Sequence, residues 1–124
     1  MIHISKLLRS FLFALRGIKT VFKEEQNFRI QIAGTLLVFI GMILLKLKTW
    51  EQTVLVLVVM LILVLELINS IFERFADLLR PRLHQGVEEV KDIMAVAVLV
   101  ASVGSVFVGL QIFAPYFFEF LRSK

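Results

Sequence analysis

The sequence predicts an all-α membrane protein, with an N-terminal amphipathic surface helix followed by three transmembrane helices. Three observations carry that fold class. Of 124 residues, 59% are hydrophobic, against roughly 45–50% in a soluble domain, and the mean hydropathy is +0.89. Uncharged runs cover residues 30–45, 52–65 and 93–118. The charged residues collect between these runs, so the chain alternates between segments suited to lipid and segments suited to water. A chain of this length forms one domain, residues 1–124, and cannot bury so much apolar surface in a core of its own.

The elements follow in order. Across residues 4–23, Ile4, Leu7, Leu8, Phe11, Leu15, Ile18 and Phe22 fall on one side of a helical wheel, with Arg9, Arg16, Lys19 and Lys23 on the other. This is the pattern of a basic helix lying in the headgroup plane. Charges interrupt its apolar residues throughout and no small-residue cleavage site follows, so it does not read as a secretory signal. A crossing helix needs about 20 residues to span a hydrocarbon core of about 30 Å. The third run is long enough alone. The first becomes long enough when Lys46 and Lys48 reach back to the interface. The second does so only by continuing through Glu66 to about Phe72, which draws a carboxylate into the bilayer. The predicted spans are therefore about 30–47, 51–73 and 93–113. Arg80-Pro81 should end the second helix, and Gly86 should loosen the chain before the third starts near Val87.

Charge sets the expected topology. Residues 1–29 carry Lys6, Arg9, Arg16, Lys19, Lys23 and Arg29, and the second connection carries Arg74, Arg80, Arg82 and Lys91. The other connection has only Lys46 and Lys48, and the tail only Arg122 and Lys124. That imbalance puts the N-terminus and the second connection in the cytoplasm and the C-terminus outside. The net charge of +4 suits anionic headgroups, and nucleic acid is not expected as a partner.

Several chemistries are excluded. Without cysteine there is no disulfide, thiolate metal site or cysteine nucleophile. The sequence contains no Walker-type glycine loop, GxGxxG, GxSxG or HExxH. His3 and His84 have no metal-ligand partner at helical spacing.

What stands out is a polar stripe in the second span. Glu66, Asn69, Glu73 and Asp77 fall within about 80° of arc over roughly 16 Å of helix. A carboxylate inside a span costs about 2.5–3.5 kcal/mol on the lenient insertion scale, so such a stripe should face protein, water or a cation. The first span is preceded by Glu24-Glu25-Gln26-Asn27-Phe28-Arg29, and the third by Glu88-Glu89-Val90-Lys91-Asp92. Carboxylates from separate helices at one membrane level suit a hard divalent cation such as Mg²⁺, which takes one or two carboxylates, waters and substrate phosphates. Lys91 could balance phosphate charge.

The arrangement Glu25-x-Asn27-x-Arg29, then Glu66-x-x-Asn69-Ser70-x-x-Glu73-x-x-x-Asp77, then Lys91-Asp92 before an Ala/Val-rich span resembles the small bacterial diacylglycerol kinase/undecaprenol kinase family over nearly the whole chain. The run Ile93-Met94-Ala95-Val96-Ala97 departs from the smaller residues common there. The resemblance implies a homotrimer in the bacterial inner membrane that uses ATP and Mg²⁺ to phosphorylate a lipid alcohol, either diacylglycerol or undecaprenol. It implies Glu66 as general base and Glu25 and Glu73 as metal ligands. Lys91 and Asp92 would contact nucleotide, with Arg82, His84, Lys6 and Phe13 as further nucleotide contacts. Asn69, Asp77, Asn27 and Arg29 would support the site or substrate. The alternative is a small proton-coupled multidrug-type transporter using Glu66. Such a protein usually needs four spans and has no use for Glu25, Glu73 and Lys91 at one interface. A non-catalytic scaffold would need none of the stripe.

Overall fold

The computed structural model describes every residue except Leu83, and the side chain of His84 also lies outside the described set. Four helices follow one another: α1 (Ile4–Glu24), α2 (Gln26–Leu44), α3 (Thr49–Leu79) and α4 (His84–Arg122). The last three are long and apolar enough to cross a membrane. With 19, 31 and 39 residues they measure roughly 28, 46 and 58 Å. α3 lies between α2 and α4 and packs against both, while α1 meets α2.

Burial follows the lipid-solvent logic of the sequence. Leu37 is 70% and Ile43 76% exposed, because a helix in hydrocarbon gains nothing by hiding leucine from it. The buried apolar residues are few. Met42, Leu47, Leu55 and Ile112 form one cluster, with Val38, Val54, Val108, Phe113 and Tyr116 packed against it. Gly41 lets α2 approach α4 here, since a Cβ at that position would stand 3.1 Å from the Phe113 ring.

The turns explain where the helices stop. α2 ends at Leu44, three residues short of the expected span. Leu45 N–H donates to the Gly41 carbonyl and Leu47 N–H to the Met42 carbonyl, with Lys46 at φ 51° between them. This is a Schellman closure, with Leu47 folding back onto Met42 within the apolar cluster. α3 then begins at Thr49, and the buried Glu51 accepts the Lys48 N–H at 3.0 Å. Tyr116 of α4 donates its hydroxyl to the same Glu51 carboxylate.

At the other end α3 does stop before Arg80-Pro81, as proline chemistry requires. Gly86, however, does not loosen the chain. α4 starts earlier than Val87 and runs through Gly86 without a break. Its Pro115 also lies within the helix. The break between α1 and α2 is a single extended residue, Glu25, at φ −104° and ψ 108°. Arg29 closes that break by donating to the Phe22 and Lys23 carbonyls at 2.9 and 2.7 Å, which satisfies acceptors left over at the end of α1.

Candidate functional site

The polar stripe of α3 meets α2 and α4 in a cleft of about 470 Å³. Asn27 and Gln31 line it from α2, Glu66, Asn69 and Glu73 from α3, and Lys91 from α4. Helical periodicity puts the three α3 groups on one face, and the packing of α3 between its neighbours turns that face inward.

Glu66 is the most enclosed acid, 2% exposed. Its Oε2 accepts the Gln31 Nε2–H at 3.2 Å, and Glu25 and Glu73 lie close enough for their charges to act on it. Asn69 Nδ2 donates to Glu73 Oε1 at 3.4 Å, at the long end for such a bond. The buried Ser70 donates its hydroxyl to Glu25 Oε1 at 3.1 Å. Arg74 holds Glu24 at 2.8 Å and stands 3.9 Å from Glu25. The extended backbone at residue 25 is what brings Glu25 to α3, 45 residues away along the chain.

The donor set bears on a cation. Among the described residues no three Asp, Glu or His side chains converge as a metal cage. Glu25 and Glu73 come from separate chain segments and each spends Oε1 on a neighbouring donor. A pair of carboxylates fits Mg²⁺ when phosphate oxygens and water fill the remaining positions. It does not fit a cation held by protein alone.

The other candidates are distributed as follows. Lys91 lines the cleft and reaches Asp77 at 3.7 Å, so Asp77 lies beside the site through Lys91. Asp92 is exposed next to it on α4. Asn27 lines the cleft, but the Arg29 guanidinium is occupied by the α1 carbonyls. Lys6 and Phe13 are exposed on α1, and Phe13 carries the Arg16 guanidinium 5.8 Å above its ring. Arg82 lines a different, largely apolar groove, with Phe72, Phe75 and Val87. The candidate His84 side chain lies outside the described residues. Two groups carry more of the site than the sequence assigns them, Gln31 and Ser70. For Gln31 a signal exists: it is the one amide in the run 30–45.

Comparison with known proteins finds similarity over most of the chain. A family model described as prokaryotic diacylglycerol kinase matches residues 12–113, from within α1 to within α4. The chain is similar to undecaprenol kinase of Bacillus subtilis, 33% identical over 113 residues that cover 91% of this chain and 92% of that protein. It is also similar to diacylglycerol kinase of Synechocystis, 34% identical over 110 residues that cover 88% of this chain and 63% of that protein. These matches define the class, a helical membrane lipid kinase. The chain belongs to the prokaryotic diacylglycerol kinase family. Membership does not favour the transporter alternative.

Proposed function

We propose that this protein transfers the γ-phosphoryl group of ATP to the hydroxyl of a membrane lipid, with Glu66 as general base. The observation that carries this reading is the enclosure of Glu66, 2% exposed, on the wall of a cleft that also presents Glu73, Asn69 and Lys91. Phosphoryl transfer to an alcohol requires an oriented hydroxyl, an acceptor for its proton and neutralised phosphates. Glu66 supplies the acceptor at a depth a lipid alcohol can reach. Lys91 and Asp92 engage the nucleotide, with Arg82, His84, Lys6 and Phe13 as outer candidates. Glu25 and Glu73 would hold Mg²⁺, which when bound neutralises phosphate charge. Asn69 orients Glu73, Asp77 orients Lys91, Asn27 lines the acceptor's approach, and Arg29 fixes the α1–α2 break that delivers Glu25.

The acceptor is diacylglycerol or undecaprenol, the lipids for which the two relatives are named. Purified protein supplied with ATP, Mg²⁺ and each lipid in turn, with ADP release measured, should turn over with one of them. Glu66→Gln keeps the shape and removes the proton acceptor, so turnover should fall about 10²–10⁴-fold while nucleotide still binds. Turnover within about threefold of wild type would exclude Glu66 as the base.

The reading extends to placement: a homotrimer in the inner membrane with spans inside α2, at about 51–73 in α3 and at about 93–113 in α4, and α1 lying amphipathically on the cytoplasmic surface. The exposed apolar side chains of α1, such as Leu7 and Phe11 at 66% each, support that position. The basic bias of residues 1–29 and 74–91 supports a cytoplasmic N-terminus and an external C-terminus. A reporter fused after Lys124 should read outside, and one inserted at Gln85 inside; a cytoplasmic C-terminus would reverse the assignment.

A further inference from the structure

The acceptor atom of Gln31 is out of place by ordinary accounting. Gln31 donates Nε2–H to Glu66 Oε2 at 3.2 Å, yet its Oε1 is buried with no hydrogen-bond partner among the described residues. A buried carbonyl without a donor is costly, and such groups in native structures mark strain or function. The residue also stands where two cavities meet. It lines the polar cleft with Glu66 and Lys91, and it lines an apolar cleft of about 440 Å³ that continues past Gly34 and Val58 to Phe113.

A carboxamide offers one donor and one acceptor side by side, which is the complement of a protonated carboxyl group. An ionised Glu66 can use only the donor, and Oε1 is then left over. A protonated Glu66 can use both, donating its O–H to Oε1 while still accepting from Nε2. We infer that Gln31 is the positioning residue for the base, holding Glu66 through both stages of the transfer. In the first stage the amide N–H fixes Oε2 and leaves the other carboxylate oxygen for the lipid hydroxyl. The hydroxyl O–H bond then breaks and its proton passes to Glu66. The freed oxygen forms a bond to the γ-phosphorus, and the bond from that phosphorus to the departing ADP breaks. In the second stage the new Glu66 O–H turns to Gln31 Oε1. Because Gln31 also borders the apolar cleft, the same amide stands where an acyl or prenyl chain would enter and its hydroxyl would reach Glu66.

The inference rests on Glu66 being the base, and the variants separate the two. Gln31→Met keeps the length of the side chain and removes donor and acceptor together. With the full chain, ATP, Mg²⁺ and whichever lipid alcohol turns over, kcat should fall about 10–100-fold, the scale of a charge-assisted hydrogen bond. KM for both substrates should stay within about threefold, because the amide acts on the base and not on substrate binding. Gln31→Glu keeps shape and acceptor, and supplies a donor when protonated, so kcat should recover to within about tenfold of wild type. If Gln31→Met does not assemble, Gln31→Asn serves the same purpose: it keeps the amide but shortens its reach, and should lower kcat alone. Wild-type kcat in Gln31→Met, a defect carried wholly by KM, or a Gln31→Glu variant as impaired as Gln31→Met would each overturn the inference. An inactive Glu66→Gln beside a fully active Gln31→Met would overturn this role alone, whereas an active Glu66→Gln removes the base itself.

Discussion

At the end of the bundle that carries the 45–48 turn, the polar groups drawn inside have partners. Glu51 is buried but accepts from the Lys48 backbone and the Tyr116 hydroxyl, and the backbone closes through Leu45 and Leu47 onto α2. Around it sit Met42, Leu55 and Ile112 in close contact. Toward the 80–82 turn the balance differs. Glu66, Glu73 and Glu25 share a region of the protein and accept from Gln31, Asn69 and Ser70 respectively. Gln31 Oε1 has none among the described residues, and an open cleft of about 470 Å³ separates the helices. Carboxylates gathered this way repel one another, and a fold tolerates that only where something else holds the helices in register. The closed end supplies this support, so one half of the bundle is built for fixity and the other for chemistry.

The sharpest way to break that contrast is to remove charge from the open end. If Glu25 and Glu73 share Mg²⁺, Glu25→Gln and Glu73→Gln should each raise the Mg²⁺ concentration needed for half-maximal turnover, by about tenfold or more. The double variant should cost less than the sum, because the second loss acts on a site already weakened. Mn²⁺ should partly restore the single variants, since it generally binds such oxygen sites more tightly. Thermal stability should hold or rise, because neutralising one of several clustered acids relieves repulsion. Unchanged Mg²⁺ dependence with wild-type rates would reduce both glutamates to interface charges, and lost stability would mean that the open end also carries structural weight.

The same contrast explains how much was legible in the sequence. The three apolar helices follow from the uncharged runs, and the shared face of Glu66, Asn69 and Glu73 follows from 3.6-residue periodicity, which needs no knowledge of neighbours. Pairings between helices are another matter. That Ser70 would meet Glu25 depends on one extended residue between α1 and α2, and the stretch 24–29 reads equally well as continuous helix. Arg29 is a case in point: the resemblance implies support of the site or substrate, while its guanidinium is drawn to the carbonyls that this break leaves unsatisfied. Gln31 and Glu51 are similar. Each is a polar residue at the edge of an apolar run, and its partner on another helix, Glu66 for Gln31 and Tyr116 for Glu51, comes from the packing of α3 against α2 and α4. Gly86 misled because glycine weakens a helix by only about 1 kcal/mol, which helix continuation can override.

The smallest expected effect tests the closed end. Lys46 occupies the left-handed position of the Schellman closure at φ 51°, where glycine is the usual residue because a Cβ costs about 1 kcal/mol. Lys46→Gly removes that cost, and the greater freedom of glycine in the unfolded chain returns part of it. The net should be a gain of about 0.5 kcal/mol, read as a rise of a few degrees in the thermal midpoint of purified protein. Turnover should not change, because nothing links this turn to the cleft except the rigid helices between them. Lys46→Ala is the control: it removes the amine but keeps the Cβ, so it should not stabilise. If both variants lose stability, the lysine amine anchors this end at the headgroups and the backbone closure is secondary. If glycine alone gains, the turn is held by its hydrogen bonds from Leu45 and Leu47 in spite of an ill-suited residue, and the fixity of this end resides in the backbone and in the apolar cluster beneath it.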